Sequence, residues 1–478
     1  MTKTGKLSHL ASNIGSLHPY PGAQNLINPQ HFYQNSILLD WSKKHAHPVT
    51  LRHLANFGKK LTEEKLVSSA NFVRTELPIR LSLKIKELQS LPYGITSNYH
   101  LNQVYQSYYY CFNAFRRVQP IKTLEDNEDF CRFLSSMLDD HLIVLPHLMM
   151  GALEVSILQS LSQQDLDDFM SSMVRSRISR RVIMDQHLSM SEAFMKNLAA
   201  GKLEGDKPHD YVGDAFQNIS AKTHLELSHK SISTFLKSLY PDIEMPDLII
   251  EGNDIKFQFM TNHLNYICTE ILRNAMRSTI EHFIRIQKLT DGSIRGVKPS
   301  PIIVDVTHTK SEITFKFSDK GGGVPLEKVD KIWSFGKTPE LATEYLDNFH
   351  RLPGLDLPSR LPIIDHQYFA NFKHKRITHN LEPNKQLSNQ PPPLTGVLSN
   401  LGQLEISGSM KSQRSMLKSL SSRPFEYTLG ISMPMCKVYA DYWNGDLSMA
   451  SVDGYGTDVT WTIGRLGSSR VQGGLDRA

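Results

Sequence analysis

A bundle of four long helices, followed by an α+β domain with helices beside a mostly antiparallel sheet, is the fold that the sequence predicts. Three observations predict it. From about Leu51 to Phe194 apolar residues recur at helical spacing, interrupted only by short breaks. After about Tyr211 short strand-like runs alternate with helices. Two glycine-rich turns, Gly321–Gly323 and Gly454–Gly456, then flank strands of this second half. The expected division is a transit peptide or disordered tail over 1–45, the four-helix bundle over 46–212, the α+β domain over 213–466 with a long, partly disordered insert over 339–425, and a tail over 467–478.

The first helix rests on Leu66, Phe72, Val73, Leu77, Leu81, Ile85 and Leu88, and ends at Leu91-Pro92-Tyr93-Gly94. Pro78 lies inside it and is expected to kink it. Helices follow over 102–117, 128–150 and 166–190, with breaks expected at Pro120 and Gly151. In the second half the spacing predicts a helix over 215–239 and strands at 248–252 and 255–259. A helix over 262–287 and strands at 301–306 and 313–317 follow. A last helix over 434–443 turns at Asn444-Gly445 into strands 447–452 and 459–463. Between Pro339 and Phe425 a segment with Gln390-Pro-Pro-Pro393 and many Ser, Asn and Gly shows no periodicity; it reads as a lid or as disorder, with a disordered centre.

At 478 residues, 40% hydrophobic and 21% charged, the composition is that of an ordinary globular chain. The net charge of +5 comes with no basic block, so no nucleic-acid partner is expected. No run of eighteen apolar residues predicts a membrane span. Cys111, Cys131, Cys268 and Cys436 are scattered and read as reduced thiols. No Asp or Glu precedes Asp40, and Lys3, Lys6, Ser, Thr and His fill that stretch. This suits a mitochondrial transit peptide, though no Arg precedes Arg52.

Three segments carry chemistry. Glu270, Asn274 and Arg277, four and three apart, share one helical face, while Ile267, Ile271, Leu272 and Ala275 bury the other. Asn offers a hard neutral oxygen suited to Mg²⁺, Arg pairs with phosphate, and Glu can take a proton from a hydroxyl. A merely solvated polar face would have the same pattern. Asp319 ends an alternating strand, where a carboxylate can accept from the exocyclic amine of adenine. Gly321-Gly322-Gly323 lets a backbone approach a ligand closely; a plain hairpin loop is the bland alternative. Gly454-Tyr-Gly456-Thr457 has the same shape, and Thr457 adds a hydroxyl. No GxxxxGK[ST] box or protein-kinase HRD and DFG set occurs.

In this order the three segments resemble the ATP site of the GHKL superfamily, which includes gyrases and histidine kinases. The resemblance narrows to the mitochondrial pyruvate dehydrogenase kinases and the branched-chain α-ketoacid dehydrogenase kinase, over roughly residues 50 to 466. Phe72-Val-Arg-Thr-Glu-Leu-Pro-Ile-Arg-Leu81, Pro146–Glu154 and Arg177–His187 are similar to that family's bundle helices, and the long insert resembles fungal-type members. The resemblance implies a GHKL (Bergerat) ATP domain, Mg-ATP, a matrix location and a protein serine kinase acting on an E1α subunit. It further implies docking on a lipoyl domain of E2 and pairing with itself or a related kinase. It assigns Glu270 as general base, Asn274 as Mg²⁺ ligand, Arg277 to phosphate, and Asp319 with Thr457 to adenine. Gly321, Gly323, Gly430 and Gly456 fall in the glycine boxes, and Tyr109, His141, Arg177 and Arg181 where pyruvate-like inhibitors bind. Packing and pairing between helices is the alternative for those last four, with Asp140, Asp167 or Asp185 as neutralising carboxylates.

The sequence departs from the family pattern in three places. The box expected as GxGxGLP reads Thr428-Leu-Gly430-Ile-Ser432-Met-Pro434. Tyr266 stands one turn before Glu270, as in the branched-chain enzyme, where many pyruvate dehydrogenase kinases have His. The Asp-Trp tail that crosses between subunits is not found before Ala478. The leading reading is therefore a pyruvate dehydrogenase kinase. A branched-chain kinase and a catalytically weak regulatory partner are the alternatives. A sensor histidine kinase fits poorly, because His224-Leu-Glu-Leu does not make its phosphoacceptor box.

Overall fold

A computed structural model of the chain describes residues 36–49, 61–96, 98–199, 215–289, 297–350, 423 and 428–465. The first 35 residues of the predicted tail, the centre of the insert and the tail over 467–478 lie outside the described residues.

Helix α1, Ser36–Ser42, sits inside the stretch expected to be a tail. Leu38 is buried and Trp41 meets Phe112 edge-on at 6.1 Å, which docks α1 on the helices that follow. Helix α2 spans Glu63–Gln89, starts where Thr62 Oγ1 accepts from the Lys65 N–H, and carries Glu63 and Glu64 at its positive end. It is one continuous element through Pro78. Helix α3, Tyr99–Arg116, is capped by Asn98, and α4, Leu124–Asp140, by a Thr123–Asp126 box. The helix expected over 128–150 is divided by a 3₁₀ turn at His141–Ile143, and α5 runs from Val144 to Leu158 straight through Gly151. Gly151 is not a breaker: a Cβ there would stand 2.7 Å from the Leu101 side chain, so the glycine lets α5 close on α3. Helix α6, Gln163–Ala199, completes this half, and α2 packs on α3, α4 and α6.

The stretch Leu124–Leu158 is long and apolar enough to cross a membrane by length and composition, yet 88% of its apolar window is buried in the structure, as in a core helix.

The second half begins with β1, Gln217–Ser220, where a helix was expected; it pairs antiparallel with β3, Lys256–Phe259. Ser220 then caps α7, Ala221–Leu239. Strands β2 (Leu248–Glu251), β4 (Ile302–His308), β5 (Glu312–Asp319), β6 (Asp446–Val452) and β7 (Gly456–Gly464) form a sheet in the order β2-β4-β5-β7-β6. Only β2–β4 is parallel in it. Alternation puts Ile313, Phe315 and Phe317 of β5 and Val459, Trp461 and Ile463 of β7 on the buried face. Phe315 stacks on its register partner Trp461 at 5.1 Å, and burying a side chain such as Phe315 contributes about 1.5–3 kcal/mol. Helices α8, Thr261–Leu289, and α10, Ser432–Tyr442, cover that face. The first twelve residues of the predicted insert form helix α9, Pro339–His350, which packs on α5. The halves also meet where α6 touches α10, and where Asp167 Oδ1 accepts from the Phe335 and Gly336 N–H groups at 2.6 and 3.0 Å.

Candidate active site

Register builds one end of the site. Antiparallel pairing sets Asp319, the last residue of β5, opposite Thr457 at the start of β7. The Gly321 N–H donates to Asp319 Oδ1 at 2.8 Å, and the Thr457 N–H reaches the same carboxylate. Burial nevertheless dominates and raises the Asp319 carboxyl to about 6; the two N–H donors oppose it only in part. The two glycine turns are tied together, because the Gly454 N–H donates to Gly322 O at 2.8 Å and the Gly322 N–H to Tyr455 O at 3.2 Å. Gly456 is required by contact: a Cβ would fall 2.1 Å from the Asp319 carbonyl oxygen. Gly323 follows in the left-handed region, under the Val452 carbonyl. Thr457 Oγ1 shares a hydrogen bond with Ser451 Oγ at 3.1 Å.

Helix α8 connects this end to the other. Ser278 stands against Gly321, and one turn earlier Asn274 opens on a cavity of about 210 Å³. Arg273, Arg277, Lys337, Arg423, Gly430 and Ser432 also line that cavity. Asn274 is exposed and its side chain makes no hydrogen bond among the described residues. The oxygen of such a side chain suits a hard cation that takes its remaining ligands from phosphate and water. Arg277 Nε pairs with Glu281 Oε1 at 2.7 Å. Gly430 has φ +67°, and a Cβ there would strike the Tyr345 ring at 2.3 Å.

Glu270 lies on the same side of α8 but is fully buried, so the bland reading of a solvated face does not hold for it. Arg423 Nη1 donates to Glu270 Oε1 at 2.6 Å and Arg423 Nη2 to Oε2 at 2.9 Å. Burial alone would push this carboxyl up; the charge and hydrogen bonds of Arg423, with Arg273 behind, reverse that and hold it below the ordinary carboxylate range. Tyr266, buried one turn away, tilts against Tyr439 at 5.6 Å, and burial beside Glu270 raises its phenol far above the usual value.

Sequence reasoning missed Arg273, Lys337 and Arg423. Arg273 was visible, being next to Asn274 on the helix already singled out. Lys337 and Arg423 come from a loop and from the end of the predicted insert, and no local pattern marks either. Burial drives the Lys337 ammonium down to about 8, partly offset by Asp167. Its Nζ donates to the Ser334 and Lys331 carbonyls at 2.5 and 3.4 Å.

In the helical half His141, Arg177 and Arg181 do line a common cavity of about 30 Å³, together with Arg180 and Cys111. Tyr109 is not among the lining residues; it stacks on Tyr105 at 6.1 Å. Its neighbour Tyr108, which is not among the lining residues either, lies 5.9 Å from the His141 ring and 4.4 Å under the Arg180 guanidinium. Burial, then Arg180 and Arg177, drives His141 down to about 3. Arg181 Nε pairs with Asp185 Oδ2 at 3.2 Å, whereas Asp167 serves the Phe335–Gly336 loop instead.

The fold is that of an α+β protein, and the relatives it matches are kinases. A family model described as mitochondrial branched-chain alpha-ketoacid dehydrogenase kinase matches residues 48–216. The chain is 40% identical to [Pyruvate dehydrogenase (acetyl-transferring)] kinase 2, mitochondrial, of Saccharomyces cerevisiae, over 94% of this chain and 89% of that protein. It is 24% identical to the mitochondrial pyruvate dehydrogenase kinase of Arabidopsis thaliana, over 88% and 91% of the two chains. It is likewise 24% identical to human isozyme 1, over 89% and 79%. The chain belongs to the family of mitochondrial pyruvate dehydrogenase and branched-chain α-ketoacid dehydrogenase kinases.

Proposed function

We propose that this chain is a protein serine kinase of the mitochondrial matrix that phosphorylates and inactivates the E1α subunit of the pyruvate dehydrogenase complex. The observation that carries the reading is the continuity of α8. A single turn of it links the Asp319–Thr457 pair, through Ser278 against Gly321, to Asn274 and the cation-lined cavity, which suits adenine and phosphates respectively. The second half then works as a GHKL-type ATP domain, and the helical half as a four-helix bundle that docks on a lipoyl domain of E2. A pair of such chains, identical or related, is the expected assembly.

In this reading Asp319 accepts from the adenine amine and Thr457 adds its hydroxyl. Asn274 would hold Mg²⁺, which neutralises charge on the phosphates when bound. Arg277, Arg273 and Lys337 hold the phosphates in line. The serine Oγ–H bond breaks toward Glu270, which takes the proton as Oγ bonds to the terminal phosphorus and ADP leaves with the bridging oxygen. The cavity lined by His141, Arg177, Arg180 and Arg181 is read as the place where a small carboxylate such as pyruvate restrains the enzyme.

The test is incubation of the purified chain with labelled ATP and, separately, pyruvate and branched-chain E1–E2 cores. Label on pyruvate dehydrogenase E1α is the expected result. Label on the branched-chain E1 alone would favour the alternative that Tyr266 supports, and label on neither would point to the regulatory partner suggested by the altered glycine box.

A further inference from the structure

The carboxylate assigned as base is out of reach of the cavity in which phosphoryl transfer would occur. Glu270 does not line that cavity; Arg423 does, and both of its terminal nitrogens sit on the two Glu270 oxygens. A hydroxyl delivered there meets a guanidinium before it meets a carboxylate. Each carboxylate oxygen already accepts a strong, charge-assisted hydrogen bond.

The surroundings of Arg423 show what would draw it away. Arg273, Arg277 and Lys337 line the same cavity. Among the described residues Glu270 answers Arg423, Glu281 pairs with Arg277, and Asp167 acts on Lys337. A cavity lined by four cationic side chains suits a polyanion. The backbone of Arg423 is held apart from its side chain's partner, because Arg273 Nη2 donates to the Arg423 carbonyl at 2.5 Å. Ser432, next to the altered glycine box, accepts from Arg423 Nη2 at 3.1 Å. The side chain can therefore change partner without its backbone moving. A guanidinium fork suits both partners, since it grips carboxylate and phosphate alike in a two-pronged geometry.

We propose that Arg423 is a positioning residue that exchanges Glu270 for the terminal phosphate of the bound nucleotide, so that the base is freed only when a phosphoryl group is present to transfer. The proposal rests on the reading of the large cavity as the phosphate end of an ATP site and of Glu270 as the base. The exchange leaves no buried cation unpaired. Glu270, released from its partner in a site with no exposure, becomes a stronger proton acceptor at the moment the serine hydroxyl arrives. Without nucleotide the pair keeps water and stray hydroxyls from the carboxylate.

The experiment is calorimetric binding of ATP and of ADP, with magnesium, to the full-length chain as wild type, Glu270→Gln and the double variant Glu270→Gln/Arg423→Gln. In Glu270→Gln the arginine has lost its competing partner, so ATP should bind roughly tenfold tighter than to wild type, the scale of one charged hydrogen bond. ADP, without the terminal phosphate, should change by less than about twofold. In the double variant the preference for ATP over ADP should fall at least roughly tenfold below that of Glu270→Gln. The double variant removes both buried charges together and is the one expected to keep its fold, which circular dichroism checks. An ATP-to-ADP preference that is the same in single and double variants overturns the proposal and leaves the pair structural. Arg423→Lys in the Glu270→Gln background should restore part of the preference; restoring none, with the fold intact, also counts against it. Single-turnover phosphorylation of E1α by Glu270→Gln tests the base separately: transfer at the wild-type rate removes Glu270 from that role without touching the binding result. Failure of every form to bind ATP would remove the nucleotide reading itself.

Discussion

In the helical half, three arginines of α6 (Arg177, Arg180 and Arg181) line a cavity of about 30 Å³, and the carboxylate beside them, Asp185, sits one turn along the same helix. In the α+β half, Arg273, Arg277, Lys337 and Arg423 line one of about 210 Å³, and their carboxylate, Glu270, is gripped from 153 residues away. Both carboxylates are buried, yet they respond in opposite senses. For Asp185 burial outweighs the single Arg181 contact and Arg177, and its carboxyl rises. For Glu270 the two-pronged grip of Arg423 outweighs burial, and its carboxyl falls. A contact between residues four apart on one helix is limited to the geometry the helix offers, here one nitrogen at 3.2 Å. A long-range partner can align its whole fork.

The sharpest way to break this comparison is to neutralise each carboxylate in turn. Glu270→Gln leaves the Arg423 guanidinium buried without its counter-charge and should destabilise the fold by about 3–5 kcal/mol; adding Arg423→Gln should recover most of that. Asp185→Asn should cost less than about 1 kcal/mol, because a carboxyl already pushed toward its neutral form loses little when it is made permanently neutral. Urea denaturation of the four forms decides. Equal losses at Glu270 and Asp185 would show that the two pairs are equivalent after all.

At the Asp319 end of the site the effect should appear in binding rather than in stability. Asp319→Ala should weaken ATP by about 1.5–3 kcal/mol, the scale of a hydrogen bond to a charged group. Calorimetry showing unchanged affinity in a folded variant would remove Asp319 from the site and leave only the cation-lined cavity as the place where the nucleotide is held.

The two ends of the site also differ in how far the sequence discloses them. The Asp319 end consists of two turns, each written in consecutive residues, and glycines are needed there because a Cβ at Gly456 would strike the Asp319 carbonyl. Local chemistry of that kind leaves a local pattern. The cavity end gathers α8, the Lys337 loop and Arg423, and nothing near Arg423 in the chain says that it will cross to Glu270. The fold follows the same division. The period-two strands and long helices were readable, whereas β1 was read as helix because only its pairing with β3 makes it a strand. The break at His141–Ile143 and the run through Gly151 were misplaced, since close packing on Leu101 and not backbone freedom explains that glycine.

The smaller cavity is tested with dichloroacetate. If the arginines of α6 hold a small carboxylate, Arg181→Ala should raise the concentration needed for half-inhibition of kinase activity by roughly tenfold, one charged hydrogen bond. The loss should be no larger than that, because Asp185 already claims part of Arg181. Equal inhibition of wild type and variant would mean that the arginines only pack and pair.

The smallest effect expected is a pH dependence that separates Asp319 from Glu270. Burial raises the Asp319 carboxyl from 3.8 to about 6, so the folded chain favours its protonated form. Its contribution to folding is therefore present below the unfolded value and is lost as pH rises through about 6. Nucleotide binding runs the other way, because only the ionised carboxylate makes a charged hydrogen bond to the adenine amine. Between pH 7.5 and pH 5 the ionised fraction falls roughly tenfold for a group titrating near 6. Adenosine, which carries no phosphate to titrate, should lose affinity by up to that factor over the same range, and Asp319→Asn should abolish the dependence. Glu270 is held ionised below the ordinary range and should contribute nothing there. An adenosine affinity that stays flat from pH 7.5 to 5 would mean that the Asp319 carboxyl does not meet the base, and a slope that survives in Asp319→Asn would place the titrating group elsewhere on the nucleotide's path.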